Sequence, residues 1–157
     1  MPDKDAYCFV LWAERFDEVA AAIFVSELRK AGLQVKLVGM AGNVMAGVGG
    51  LKVVADMTLE QALHLADKSA CVVIPGKSPG VGRLLDDPRL LDFLDRARRQ
   101  QAMFVVNQSC TALAAGAGSI VAYAEDQPVL DLAHEIAGRL GATPVKAYLE
   151  PTRAIVA

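Results

Sequence analysis

The stretch Met103–Gly118, MFVVNQSCTALAAGAG, holds the residues of this chain best placed to do chemistry. A short apolar run, Met103 to Val106, passes straight into Asn107, Gln108, Ser109 and Cys110 and then into an Ala-rich helix pattern. That order predicts a sharp strand-to-helix turn. The opening turn of a helix has unpaired N–H donors and suits an anion or a developing oxyanion, and α/β enzymes carry their nucleophiles at such turns. Cys110 is the nucleophilic side chain there, and partial positive charge at a helix start favours a thiolate. Asn107, Gln108 and Ser109 offer amide and hydroxyl groups to a small polar or anionic ligand. Two other polar turns follow apolar runs. One is Ala13–Glu18, with Glu14 and Glu18 as its acids. The other is Gly76–Gly80, where the N–H groups of Gly76 and Lys77 can face the first turn.

Other candidates fall away on spacing. Gly39–Gly50, GMAGNVMAGVGG, is rich in glycine, yet no Gly-x-Gly-x-x-Gly joins a first strand to its helix, and the first such turn carries acids where a pyrophosphate would lie. It reads instead as a loop or hairpin before the strand Leu51–Ala55. Pro75-Gly-Lys-Ser is like the end of a phosphate loop, but the required first glycine falls on Cys71, in mid-strand. His64 has no second His or Cys at ligand spacing and reads as a surface histidine, and neither a metal nor a cofactor is expected. Cys8, within an apolar strand, is read as packing.

The elements that must position these turns are legible in order. Tyr7–Ala13, Leu33–Val38, Leu51–Ala55, Ala70–Pro75, Met103–Val106 and Ser119–Tyr123 read as strands, several with the continuous apolar character of strands covered on both faces. Between them run helix patterns. The first carries Val19, Ile23, Phe24 and Leu28 inward and is closed by Gly32. The second spans Thr58–Ala66 with a Thr58/Gln61 capping box. The third is capped by Asp87 and begun by Pro88, with Leu90, Leu91, Leu94 and Ala97 inward. The last is Pro128–Leu140, with His134 on or beside its polar face, and the tail Val145–Val156 suits an edge strand broken by Pro151. Alternating strands and helices predict one α/β domain over residues 1–157, with a mostly parallel sheet, helices on both faces and a site at the carboxyl ends of the strands.

Composition narrows the partners. A formal charge of −2 gives no basic face for nucleic acid or anionic lipid, and Arg96, Arg98 and Arg99 read as the solvated side of a helix. No apolar run is long enough to span a bilayer. The polar start, Met1–Ala6, and an odd count of three cysteines, Cys8, Cys71 and Cys110, predict a cytoplasmic protein with reduced thiols. No helix-turn-helix or basic segment marks a transcription regulator.

With these residues in hand, the chain resembles the ThiJ/PfpI group of the class I glutamine-amidotransferase-like superfamily, which includes the Parkinsonism-associated deglycase-like proteins. The resemblance runs from Tyr7 to about Gly118, through AGLQVKLVG from Ala31, Leu59-Glu60, VVIPG from Val72 and Thr111-Ala-Leu. The last helix and Val145–Leu149 are similar to the family's ending, with the segment before them shortened. The resemblance implies a flavodoxin-like three-layer sandwich and a homodimer. It also implies three functional elements. Counting back from Thr111, the family's nucleophilic cysteine falls on Asn107, its histidine on Gln108, its glycine on Ser109 and its proline on Cys110. The acid that holds a proton against that cysteine falls on Ala20. The Pro-Gly-Gly whose amides form an oxyanion site is Pro75-Gly76-Lys77 here, and backbone donors persist whatever the side chain. An amide cannot act as a thiolate. The expectation is therefore a family member without the hydrolase or deglycase chemistry, binding a small ligand or serving regulation as a homodimer. The alternative is a thiol-dependent enzyme or redox sensor built on Cys110, helped by Glu14 or Glu18.

Overall fold

Strands without polar alternation must be covered on both faces, and these occupy the middle of a single sheet. The computed structural model describes residues 5–77 and 80–141. Its strands are β1 (Tyr7–Trp12), β2 (Gln34–Gly39), β3 (Val44–Ala46), β4 (Lys52–Val54), β5 (Met57–Thr58), β6 (Ser69–Ile74), β7 (Met103–Asn107) and β8 (Ser119–Tyr123). The helices are α1 (Glu18–Lys30), α2 (Leu59–Leu63), α3 (Pro88–Arg99) and α4 (Val129–Arg139). Six strands form a parallel sheet in the order β5-β2-β1-β6-β7-β8, while β3 and β4 make a separate antiparallel hairpin. The tail Val145–Val156 lies outside the described residues.

Chain direction across the sheet reverses between β1 and β6. Connections run from β1 toward β2 on one side and from β6 toward β7 and β8 on the other. Right-handed crossovers in opposite directions put helices on opposite faces, and α1 packs with α4 while α2 packs with α3. The flavodoxin-like α/β arrangement expected from the sequence is thus present. Phe9 meets Phe93 of α3 edge-on at 5.2 Å, and Phe24 of α1 lies 6.1 Å from Tyr123 of β8, so both faces of the sheet carry aromatic contacts. Cys8 and Cys71 are register partners in the central strands and both are buried. The thiol of Cys71 is pushed well up by the hydrogen bond with Cys8 and then by burial.

Local chemistry sets the helix ends, for α2 and α3 as the sequence indicates. Asp17 Oδ1 accepts the N–H groups of Val19 and Ala20, both at 3.0 Å, and caps α1. Thr58 and Gln61 make both halves of a capping box on α2, and Asp87 with Pro88 opens α3. The inward faces need two corrections. Val19 is 64% exposed and Leu91 also faces out, because the helix phase buries Ala20, Ala21 and Phe24 in α1 and Leu90, Phe93 and Leu94 in α3. The helix expected over Thr58–Ala66 stops at Leu63 and is followed by a 3₁₀ turn, Ala66–Lys68.

The glycine-rich segment is the β3–β4 hairpin and its turn, and the glycines there serve a carboxylate of the protein itself. Glu18, buried at the first position of α1, accepts the N–H of Gly49 at 2.8 Å and that of Leu51 at 3.2 Å. A Cβ on Gly47 would lie 2.1 Å from Glu18 Oε2, and one on Gly49 2.8 Å from Oε1. The hairpin is also held by the Trp12 indole N–H, which donates to the Met45 carbonyl at 3.3 Å.

At the α1–α4 contact, His134 Nε2 and Glu27 Oε2 are 2.9 Å apart, and Lys30 Nζ lies 3.2 Å from Glu27 Oε1. The His134 hydrogen bond, with smaller help from Lys30, holds the Glu27 carboxyl below its usual range. A lowered folded pKa gives stability that is complete above the unfolded carboxylate range and is lost as pH falls through the folded value. Glu27→Gln should lower unfolding stability by at most about 1 kcal/mol at pH 7. The gap between variant and parent should close below about pH 4, read from urea unfolding across pH.

Candidate functional site

Four polar segments end at the same edge of the sheet. Asp17 comes from the turn after β1, Pro75, Gly76 and Lys77 from the turn after β6, Asn107 from the end of β7, and Tyr123 and Glu125 from the end of β8. With Val129 at the start of α4 they line a cleft of about 40 Å³, room for a few waters or one small functional group. It lies at the carboxyl ends of parallel strands, beside the reversal between β1 and β6, where α/β sheets leave an open crevice.

Asn107 closes β7 in extended geometry (φ −65°, ψ 146°), without positive-φ strain. Its Oδ1 accepts the Ser109 N–H at 2.9 Å and the Ser109 hydroxyl at 2.8 Å. That leaves the Asn107 amide nitrogen without a hydrogen bond among the described residues, although the side chain is only 6% exposed. Tyr123 is 5% exposed, and its hydroxyl likewise makes no hydrogen bond among the described residues. Burial first, then the Asp17 carboxylate and the Cys110 thiol, push the Tyr123 phenol well above its ordinary value, so it stays neutral and protonated. At the rim, Lys77 pairs with Glu125.

The segment after Asn107 differs from the regular helix that its alanines suggest. Gln108–Ala114 is a seven-residue 3₁₀ stretch, kinked at Cys110 (φ −123°, ψ 21°). Arg98 of α3 holds this stretch by donating to the Leu113 carbonyl at 2.9 Å while its guanidinium lies over Phe104, 5.7 Å from the ring centre. The α-helix expected from the sequence to open at Cys110 is thus replaced by 3₁₀ geometry. Cys110 is 5% exposed, its thiol donates to the Gly76 carbonyl at 3.3 Å, and it does not line the cleft.

Of the residues singled out from sequence, Asn107, Gly76 and Lys77 come together in the cleft. Gln108, Ser109 and Glu14 are exposed and do not line it. Glu18 points into the hairpin. Ala20 is buried in α1. Asp17, Tyr123 and Glu125 were missed: Asp17 sits in a polar turn between Glu14 and Glu18 with no motif of its own, and Tyr123 and Glu125 sit at a strand end whose register no local pattern fixes. Among the described residues no cluster of three or more His, Cys, Asp or Glu is placed to hold a metal ion, and no helix is long and apolar enough to cross a membrane.

The family model described as DJ-1/PfpI matches residues 7–118. No protein of curated function matches the chain by sequence. Among solved structures, Drosophila melanogaster DJ-1beta is 16% identical with a TM-score of 0.78, covering 94% of this chain and 97% of its own. Oxidized Toxoplasma gondii DJ-1 is 17% identical, with the same TM-score and coverage. A mutant DJ-1 superfamily protein from Salmonella typhimurium is 21% identical with a TM-score of 0.72, covering 94% of this chain and 98% of its own. At these identities the likeness is one of fold.

Asn107→Ala removes the acceptor that satisfies both the Ser109 N–H and its hydroxyl, and should cost about 1–2 kcal/mol. Asn107→Asp, which keeps an acceptor at the same place, should cost less than half of that in chemical denaturation.

Proposed function

The chain belongs to the DJ-1/PfpI family, and from that premise we propose that it is a ligand-binding or regulatory homodimer working without the family's cysteine hydrolase or deglycase chemistry. The observation that carries this reading is the environment of the turn after β7. Asn107, at the position the family resemblance gives to the nucleophile, is committed through Oδ1 to Ser109. Cys110, three residues on, is buried and bonded to the Gly76 carbonyl. A nucleophile must reach substrate and must be deprotonated by a positioned base. No histidine lines the cleft.

The cleft keeps what binding needs. It has donor capacity on Asn107, a neutral hydroxyl on Tyr123, a carboxylate on Asp17, and a charged pair, Lys77 and Glu125, at the mouth. A small polar ligand, or one polar group of a larger one, fits that volume and that chemistry.

Self-association is supported by the exposed surface of the hairpin and the neighbouring first turn of α1. Val19, Val44, Val48, Leu51 and Val54 are all exposed on the hairpin and the first turn of that helix, and Val44 and Val54 are direct cross-strand partners. A concentration of large apolar side chains on one short hairpin suits burial against a second copy.

Two measurements test this. Iodoacetamide alkylation followed by peptide mass spectrometry across pH should find Cys110 slow at neutral pH, and Cys110→Ser should fold and bind as the parent does. Rapid labelling, with an apparent pKa well below about 8.5, would instead establish the thiol-dependent enzyme or sensor. Light scattering should give a dimer mass for the parent and a monomer mass for Val54→Asp, with unchanged circular dichroism.

A further inference from the structure

We infer that the group bound in the cleft is a primary ammonium, the charged end of a small amine, received by Asp17 and Tyr123. The inference rests on reading the cleft as a binding site and names what enters it. Asp17 Oδ1 is occupied by the two amides it caps, whereas Oδ2 has no hydrogen bond and the carboxylate no ion pair among the described residues. The cation at the mouth does not neutralise it, because Lys77 is matched by Glu125. Asp17 is therefore the carboxylate of the cleft that lacks a counter-charge. Beside it stands the hydroxyl of Tyr123, a residue only 5% exposed, whose oxygen has acceptor capacity and no partner among the described residues.

An anion meets the opposite conditions. It would lie against Asp17, and the backbone donor best placed after β7, the Ser109 N–H, is already taken by Asn107 Oδ1. What the cleft offers an anion is the Asn107 amide and whatever Gly76 and Lys77 can turn toward it. An ammonium fits in both shape and charge. Its N–H groups reach Asp17 Oδ2 and the Tyr123 oxygen, and the Asn107 amide remains free to donate to an oxygen carried on the next carbon. A volume of about 40 Å³ admits this head group and leaves the rest of the amine at the mouth, beside Lys77 and Glu125.

The test uses the full chain, labelled with ¹⁵N, and two matched pairs of probes at constant ionic strength: methylammonium and ethanolamine against formate and acetate. The side-chain amide of Asn107 reports from within the cleft. With so few heavy atoms, dissociation constants of about 1–10 mM are expected for the amines. Ethanolamine should bind the tighter of the two, because its hydroxyl can accept from Asn107. Asp17→Asn is the decisive variant. Asparagine caps a helix as well as aspartate does, so the fold is retained while the charge is removed, and amine binding should weaken tenfold or more. Unchanged binding in Asp17→Asn, or carboxylates that bind as tightly as the amines, would overturn the ammonium assignment and leave the cleft as a ligand site. No shift with any probe up to 100 times the expected constant (about 1 M, matched for ionic strength) would overturn both. If Asp17→Asn fails to fold, Tyr123→Phe provides the second arm: it removes the hydroxyl alone and should weaken the amines several-fold, and equal affinity there also sinks the proposal.

Discussion

Five consecutive side chains of β1, Cys8 to Trp12, are buried, and so are those of β6 from Cys71 and of β7 throughout. A parallel strand in that condition has no solvent face, so the chain must supply a layer on each side of it. This requirement fixes the rest. It sends α1 and α4 to one face and α2 and α3 to the other, and it makes the sheet reverse direction between β1 and β6. It also confines polar chemistry to the strand ends, because backbone and side-chain polar groups inside such a sandwich would have no water to bond.

The cleft is a product of that confinement. Four strand ends and one helix start deliver side chains to one edge, and the tight neighbourhood leaves some of their hydrogen-bonding capacity unused. The same crowding explains why Cys110, one of the family-position neighbours of Asn107, faces the Gly76 carbonyl instead of the cleft. Regular 3₁₀ geometry turns successive side chains by about 120°, so residues three apart eclipse; the kink at Cys110 (φ −123°, ψ 21°) breaks that repeat between Asn107 and Cys110, and Cys110 does not line the cleft.

Much of the architecture could be read from residue types. Continuous apolar runs located the central strands, and Thr58, Asp87, Pro88 and Gly32 marked helix ends within a residue or two, because caps and buried strands are local signals. Signals that depend on phase or on distant partners were not legible. Val19 and Leu91 fit an apolar stripe in sequence, but the phase of each helix is set by what it packs against, and both face outward. The alanines of the turn after β7 have high helix propensity, yet they form 3₁₀ geometry anchored by Arg98, a contact fifteen residues away. Asp17 and Tyr123 carried no motif at all. They matter only because β1 and β8 bring their ends to the same edge.

Glu18 illustrates how a residue can look functional for structural reasons. An acid in the first turn of an α/β sheet invites a catalytic reading, but its carboxylate is folded into the hairpin between Gly47 and Gly49, taking the N–H groups of Gly49 and Leu51. These three positions therefore form a single unit of inheritance. A side chain at Gly49 is admissible once residue 18 has shortened, whereas one at Gly47 also meets the residue-18 Cβ at 2.9 Å, and shortening residue 18 first strands two amides. Each route passes through an intermediate worse than either end, so drift in this part of the chain is locked unless the substitutions arrive together.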